Sequence, residues 1–154
     1  MSDTIAAIAT GTQVSAIGII RISGAKALDV IDQIFRPSSG RRMSSYEDRK
    51  LVYGKLMDSD DQIMDLCLCT ISHGPGSYTG EDTAELQCHG SPAVLRQAMD
   101  ALARLGVRQA GPGEFTKRAF LNGRMGLTQA EAVIDIIDAE TADVAKNAVG
   151  QLGG

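Results

Sequence analysis

Two β-prone runs, residues 51–57 and 63–71, are joined only by the polar turn cluster Asp58-Ser59-Asp60-Asp61. A link that short closes an antiparallel hairpin and leaves no room for a crossover helix. The remaining pattern is arranged around that hairpin. Residues 4–9 and 17–22 are short β-prone runs upstream of it. Residues 83–89 form a strand by alternation, with Ala84, Leu86 and Cys88 on one face and Glu85 and Gln87 on the other.

Helical spacing separates these runs. Ser23-Gly24 opens a helix in which Leu28, Ile31, Ile34 and Phe35 recur at three- and four-residue intervals, and Pro37-Ser38-Ser39-Gly40 ends it. Ser91 and Pro92 suit the N-cap and first position of a second helix, with Leu95, Met99, Leu102 and Leu105 as its buried stripe. Gly106 is placed to close that helix in a left-handed conformation. Residues 107–110 read as a brief strand. Gly111-Pro112-Gly113-Glu114 then turns into a short helix reaching Leu121, which Asn122-Gly123 breaks. The order β-β-α-β-β-β-α-β-α predicts an α+β fold with a mixed or antiparallel sheet, of the split βαβ, ferredoxin-like kind, rather than a doubly wound sheet.

The last segment differs. Thr128-Gln129-Ala130-Glu131 has the form of a capping box. A helix over 129–151 would be about 34 Å long. Val133, Ile134, Ile137, Val144, Ala148 and Leu152 keep an apolar stripe along it. The preceding residues can cover only part of that stripe. The helix is therefore expected to pack against a segment outside this sequence or against a second copy, and the chain is expected to be a fragment. The expected domains are residues 1–121 and the start of a helical domain at 122–154.

At 154 residues the chain suits one domain with a modest appendage. Aromatics make up 4 % and Trp is absent, so the core must be built from Leu, Ile, Val, Ala and Met. A net charge of −4 weighs against this chain gripping nucleic acid alone through phosphates. The amino terminus lacks a basic-then-apolar leader, and no apolar run approaches twenty residues. The expectation is a cytoplasmic protein with no membrane association.

No GxxxxGK[ST] occurs, so a P-loop site for GTP is excluded within these residues. Cys67 and Cys69 read as small core residues on one face of a strand, with no second cysteine pair at zinc spacing. His73 and His89 have no third ligand at metal spacing. Ser72, Ser77 and Ser91 lack a nucleophile motif. Neither a metal site nor a catalytic triad is expected. The glycine-rich loop 74–80 is either a flexible connection or a ligand-covering loop.

Three charged residues stand out. Glu85 is either an exposed strand glutamate or a carboxylate in a cleft, able to accept two parallel hydrogen bonds from a planar N–H/NH₂ edge. Arg21 interrupts the apolar run IGIIRISG. It faces solvent, pairs with an acid, or meets a carboxylated or planar ligand. Arg124 lies in a loop between two helices, a common place for binding residues and for solvated arginines alike.

Several segments together resemble one family. IGIIRISG (17–24), PGSYTGEDTAELQCHG (75–90) and PGEFTKRAFLNGRMGLTQAEAVIDIIDA (112–139), in that order, are similar to the amino-terminal region of the MnmE (TrmE) family of tRNA-modification GTPases. The resemblance covers nearly the whole chain, and the last stretch is long and specific. It implies a first domain like the tetrahydrofolate-binding domain of the glycine-cleavage T protein. That domain binds 5-formyl- or 5,10-methylene-tetrahydrofolate and forms the homodimer. The family pattern implies folate contacts at Arg21, Glu85 and Arg124, the last being Arg where many relatives carry Lys. The pterin ring offers the planar edge that Glu85 can read.

For the whole protein the resemblance implies work with the FAD-binding partner MnmG. Together they install a carboxymethylaminomethyl or aminomethyl group at C5 of wobble uridine 34 in certain tRNAs, folate supplying the one-carbon unit. GTP hydrolysis, with Mg²⁺ and K⁺, belongs to a G domain that is not in this sequence. Most of the helical domain and a carboxy-terminal C-x-G-K motif are also missing from it, so the folate site is expected to lack any wall that tail supplies. Two other classes stay open. One is a pure assembly module with an incomplete folate pocket. The other is a folate-dependent aminomethyltransferase in its own right, which needs a catalytic acid and a longer chain.

Overall fold

A computed structural model describes residues 3–9 and 15–139. The chain divides into two compact units, Met1–Ala110 and Gly111–Gly154.

Among the described residues, the first unit is a seven-stranded sheet with two α-helices. The strands are β1 (Ile5–Ile8), β2 (Ser15–Ser23), β3 (Phe35–Pro37), β4 (Val52–Met57), β5 (Ile63–Ser72), β6 (Thr83–Gly90) and β7 (Arg108–Gln109), in the spatial order β3-β4-β5-β6-β2-β1-β7. Every pairing is antiparallel except β1 with β7. Because β6 opposes β2, β2 opposes β1, and β1 runs with β7, strands β6 and β7 point the same way with two strands between them. With helix α2 (Pro92–Arg104) linking them, they form a split βαβ unit, and the class is α+β as the sequence predicts.

The expected hairpin is β4–β5. Asp58 builds its turn: Oδ1 accepts the backbone N–H of Asp60 at 2.8 Å and of Gln62 at 2.9 Å. An aspartate at a turn start supplies this local acceptor, which is why the cluster punctuates the chain there.

Helix α1 (Ala27–Ile34) buries Ala27, Val30, Ile31 and Ile34, spaced one helical face apart. The stripe read from sequence, Leu28, Ile31, Ile34 and Phe35, is right at Ile31 and Ile34 and differs at its ends. Leu28 is only partly buried, and Phe35 is already extended (φ −122°, ψ 126°) as the first residue of β3. The sequence reading missed this edge strand. Its cause is visible, since Pro37 biases Arg36 toward extended backbone. The residue before α1 is tied to β1's start: Lys26 N–H donates to Thr4 Oγ1 at 3.1 Å.

Helix α2 starts with Pro92 at its first turn, although Ser91 makes no side-chain cap. It buries Leu95, Ala98, Ala101 and Leu102, while Met99 and Leu105, placed in the stripe from sequence, are partly buried against the core. Gly106 at φ +86° closes the helix, and Val107 N–H returns to Leu102 O at 3.1 Å. Both helices pack on one face of the sheet. There Ile20, Ile22, Leu56, Cys69, Ile71, Ala84 and Leu86 meet Val30, Ile31, Leu95 and Leu102.

The second unit holds α3 (Glu114–Leu121) and a helix, α4, over the described residues 127–139. The expected capping box sits two residues later than the real one. Gly126 caps α4, and Gln129 at the third helical position accepts the Gly126 N–H at 3.4 Å. Val133, Ile134 and Ile137 are half-buried, and Ile134 approaches Gly113. The stripe beyond Ala139, including Val144, Ala148 and Leu152, lies outside the described residues. No described helix is long and apolar enough to cross a membrane.

Candidate functional site

Arg21 and Glu85 come from adjacent central strands and are direct register partners. Ala7 pairs with Arg21 and Thr70 with Glu85, so Thr70, Glu85, Arg21 and Ala7 form one row across β5, β6, β2 and β1. Directly opposed residues share a face. That face is opposite the one covered by α1 and α2, because the alternate residues Ile20, Ile22, Ala84 and Leu86 are the buried ones.

Within the row, Arg21 Nη2 lies 3.5 Å from Glu85 Oε1, with the side chains 43 % and 26 % exposed. Gln87 Nε2 is 3.5 Å from Glu85 Oε2. Both carboxylate oxygens thus have donors, but at long distances that a better-placed donor could displace. Beside them, Thr70 Oγ1 and Ser72 Oγ are buried without a hydrogen-bond partner. An unsatisfied buried hydroxyl costs about 1–3 kcal/mol, so the patch contains polar capacity that the folded chain does not use. A half-exposed guanidinium and a partly exposed carboxylate suit a flat ligand with donors and acceptors along its edge.

The glycine-rich loop between β5 and β6 is a built structure. Ser77 and Thr79 are buried within it. Ser23 Oγ, at the end of β2, bonds Thr79 Oγ1 at 2.7 Å and donates to Glu81 Oε1 at 2.8 Å. Gly74 N–H donates to Asp82 Oδ1 at 2.9 Å, and Gly24 N–H to Asp82 O at 3.0 Å. These bonds tie the loop to the strand that carries Arg21, which decides against a loose connection.

Arg124 belongs to the second unit. It follows Gly123 (φ +73°), its side chain is exposed, and its backbone N–H donates to Ala119 O at 2.7 Å at the end of α3.

Each histidine is held by an aspartate through two contacts. Asp48 accepts the backbone N–H of His73 at 3.1 Å and also contacts its Nδ1. This bond raises the His73 pKa above its usual value and lowers that of Asp48. Asp65 accepts the backbone N–H of His89 at 2.8 Å and lies 2.7 Å from its Nδ1.

The expected core thiols Cys67 and Cys69 are in the core, and Cys88 is buried with them, none of the three in a disulfide. What the sequence reading missed is their company. Asp65, Cys67 and Cys88 bring three ligand-type atoms within 4.8 Å of one another. Spacing along the chain could not reveal this, because Cys88 is 21 residues from Cys67 and reaches it only through β5–β6 pairing. Contact with the Cys88 thiol, then burial, pushes the Cys67 pKa far up, and burial does the same for Cys69.

Comparison with known proteins fits this architecture. The family model described as "GTP-binding protein TrmE N-terminus" matches residues 4–124. A protein named tRNA modification GTPase MnmE from Symbiobacterium thermophilum is 48 % identical over 152 residues, covering 99 % of this chain and 33 % of the relative. Its namesake from Clostridioides difficile is 48 % identical over 154 residues, covering 100 % of this chain and 33 % of the relative. A third, from Roseiflexus sp., is 47 % identical over 152 residues, covering 99 % and 32 %. The chain therefore spans about a third of the length of the curated relatives it matches. Matched by the family model across most of its length and by these relatives along nearly all of it, the chain belongs to the TrmE amino-terminal family, the amino-terminal region of MnmE-type tRNA-modification GTPases.

Proposed function

We propose that this chain is the tetrahydrofolate-binding and homodimerising module of a tRNA-modification GTPase. The observation that carries the reading is the Arg21–Glu85 pair on the sheet face opposite α1 and α2, with the buried, unpartnered hydroxyls of Thr70 and Ser72 beside it. In this reading Glu85 accepts two parallel hydrogen bonds from the N–H/NH₂ edge of a pterin. A partly exposed carboxylate beside a half-exposed guanidinium on one strand row fits the group. Arg21 meets the ring plane or the acidic tail, since guanidinium offers both a donor fork and a stacking surface. Arg124 is the third proposed contact and rests on the family pattern alone.

Bound 5-formyl- or 5,10-methylene-tetrahydrofolate supplies the one-carbon unit. Arg21, Glu85 and Arg124 bind and orient it, and none acts as acid or base. The proposal assigns residues 1–121 to the folate-binding and dimerising domain and 122–154 to the start of a helical domain.

For the whole protein, we infer a cytoplasmic enzyme that acts with MnmG on wobble uridine 34 of tRNA. GTP, Mg²⁺ and K⁺ are bound by a G domain outside these residues. The relatives' name, tRNA modification GTPase, supports the GTPase and tRNA-modification part of this extension. A second reading, a pure assembly module, draws on the same face. Ile17 (55 %), Tyr53 (52 %) and Leu66 (43 %) are exposed there, and Arg21 and Glu85 already satisfy each other. Calorimetric titration of 5-formyltetrahydrofolate into the chain and into Glu85→Ala separates the two. Saturable binding lost in the variant supports the folate site. A dimer with no heat of binding leaves assembly as the function.

A further inference from the structure

We propose that Asp65, Cys67 and Cys88 form a binding site for a thiophilic divalent cation, zinc by preference, that pins β5 to β6. Three observations converge on it. The carboxylate and the two sulfurs already lie within 4.8 Å of one another, the one such group among the described residues. Cys67 and Cys88 are 4 % and 2 % exposed, and the Asp65 side chain 10 %, so the site is shielded yet opens toward solvent at the Asp65 end. The carboxylate is also fixed in orientation. His89 donates its backbone N–H to one oxygen at 2.8 Å and sets its ring Nδ1 2.7 Å from the other. Each oxygen keeps a second lone pair for a metal, and a histidine–carboxylate contact of this kind is what holds a ligand in place around bound ions.

The chemistry selects the ion. Two thiols with one carboxylate favour zinc over magnesium or calcium, which take oxygen ligands. Tetrahedral zinc with bonds of about 2.0–2.3 Å needs its ligand atoms about 3.3–3.8 Å apart. Closing the present spacing takes shifts of about 1 Å or less. On binding, the Cys67 and Cys88 S–H protons pass to buffer, two S–Zn bonds and one O–Zn bond form, and nothing is oxidised or reduced. Water takes the fourth position from the Asp65 side. Once the two thiols are deprotonated, they and the Asp65 carboxylate crowd negative charge into one shielded site. A divalent charge relieves it. The site lies on the helix-covered side of the sheet and does not depend on the folate reading.

The test is titration of the whole chain with Co²⁺ in reducing buffer without folate, followed by displacement with Zn²⁺. We expect thiolate-to-cobalt charge-transfer absorption saturating at one equivalent, bleached by zinc, and a melting temperature that rises with zinc and falls back with chelator. Asp65→Asn should weaken cobalt binding at least tenfold. Cys88→Ser should abolish the charge-transfer band, and Cys69→Ala, outside the trio, should keep it. Absence of the band in the unmutated chain overturns the site and leaves core thiols only. A band that survives both Asp65→Asn and Cys88→Ser overturns it equally. If Cys88→Ser does not fold, the unmutated chain and Asp65→Asn still decide.

Discussion

Arg21 on β2 and Glu85 on β6 face each other directly across an antiparallel pair, with the guanidinium Nη2 3.5 Å from the carboxylate Oε1. Both side chains are partly exposed, so the pair sits where solvent screens it. Its net contribution to folding should be about 0–1 kcal/mol. A double-mutant cycle of Arg21→Ala and Glu85→Ala, read by urea denaturation, should give coupling in that range. Glu85→Gln should nevertheless weaken 5-formyltetrahydrofolate at least tenfold, because an amide cannot accept the paired hydrogen bonds. Large stability losses with unchanged folate affinity would assign the pair to structure instead.

Thr70→Val and Ser72→Ala provide a second handle on the same site. Each removes a buried hydroxyl that has no partner in the folded chain. Deleting an unsatisfied polar group should leave stability unchanged or raise it by up to about 1 kcal/mol. If these hydroxyls meet the ligand, folate affinity drops in the same variants. A stability loss above about 1 kcal/mol in thermal denaturation would show that they are satisfied after all.

His73 and Asp48 predict a pH dependence. The Asp48 contact raises the His73 pKa, so its stabilisation is complete below the ordinary histidine value of about 6.5 and disappears as pH rises through the folded value. The lowered Asp48 pKa adds stabilisation present above about pH 4 and lost as pH falls through its own folded value. The unmutated chain should therefore exceed Asp48→Asn in stability most clearly between about pH 4 and 6.5. An NMR titration should show the His73 ring above 6.5 in the unmutated chain and lower in Asp48→Asn.

Gly54 and Gly106 should respond differently to alanine. A Cβ at Gly54 would lie 2.4 Å from Arg36 O and 2.7 Å from Phe35 Cζ, where β4 meets β3. Backbone cannot yield easily, so Gly54→Ala should cost about 1–3 kcal/mol or more. At Gly106 no atom lies within 4 Å, but φ is +86°. Only the conformational penalty of about 1–2 kcal/mol applies there. Urea midpoints for the two variants, alongside a Leu86→Ala core control expected to lose about 2–5 kcal/mol, test the ranking.

Periodicity and turn chemistry are local, and what they govern was legible in the chain. The alternation 83–89, the Asp58 turn, the proline start of α2 and the left-handed close at Gly106 all emerge as read. Local rules fared less well at the ends of elements. β3 forms because β4 offers it an edge, and α4 starts at Gly126 because Gln129 reaches back to that amide. The β4 edge lies outside any short window of sequence, whereas Gln129 sits only three residues from the amide it reaches.

The resemblance singled out Arg21 and Glu85 one at a time, from residues 64 apart in the chain. That they are neighbours is a consequence of β2–β6 pairing. The same holds for Cys67, read from sequence as a core thiol, and Cys88, read as one face of a strand, which β5–β6 pairing brings together. The sequence by itself determined most of the strands and helices, the α+β class and the family, because those follow from spacing and motifs along one chain. Only the tertiary structure decided which side chains share a face and a neighbour, because sheet register joins residues whose separation in sequence carries no signal of their contact.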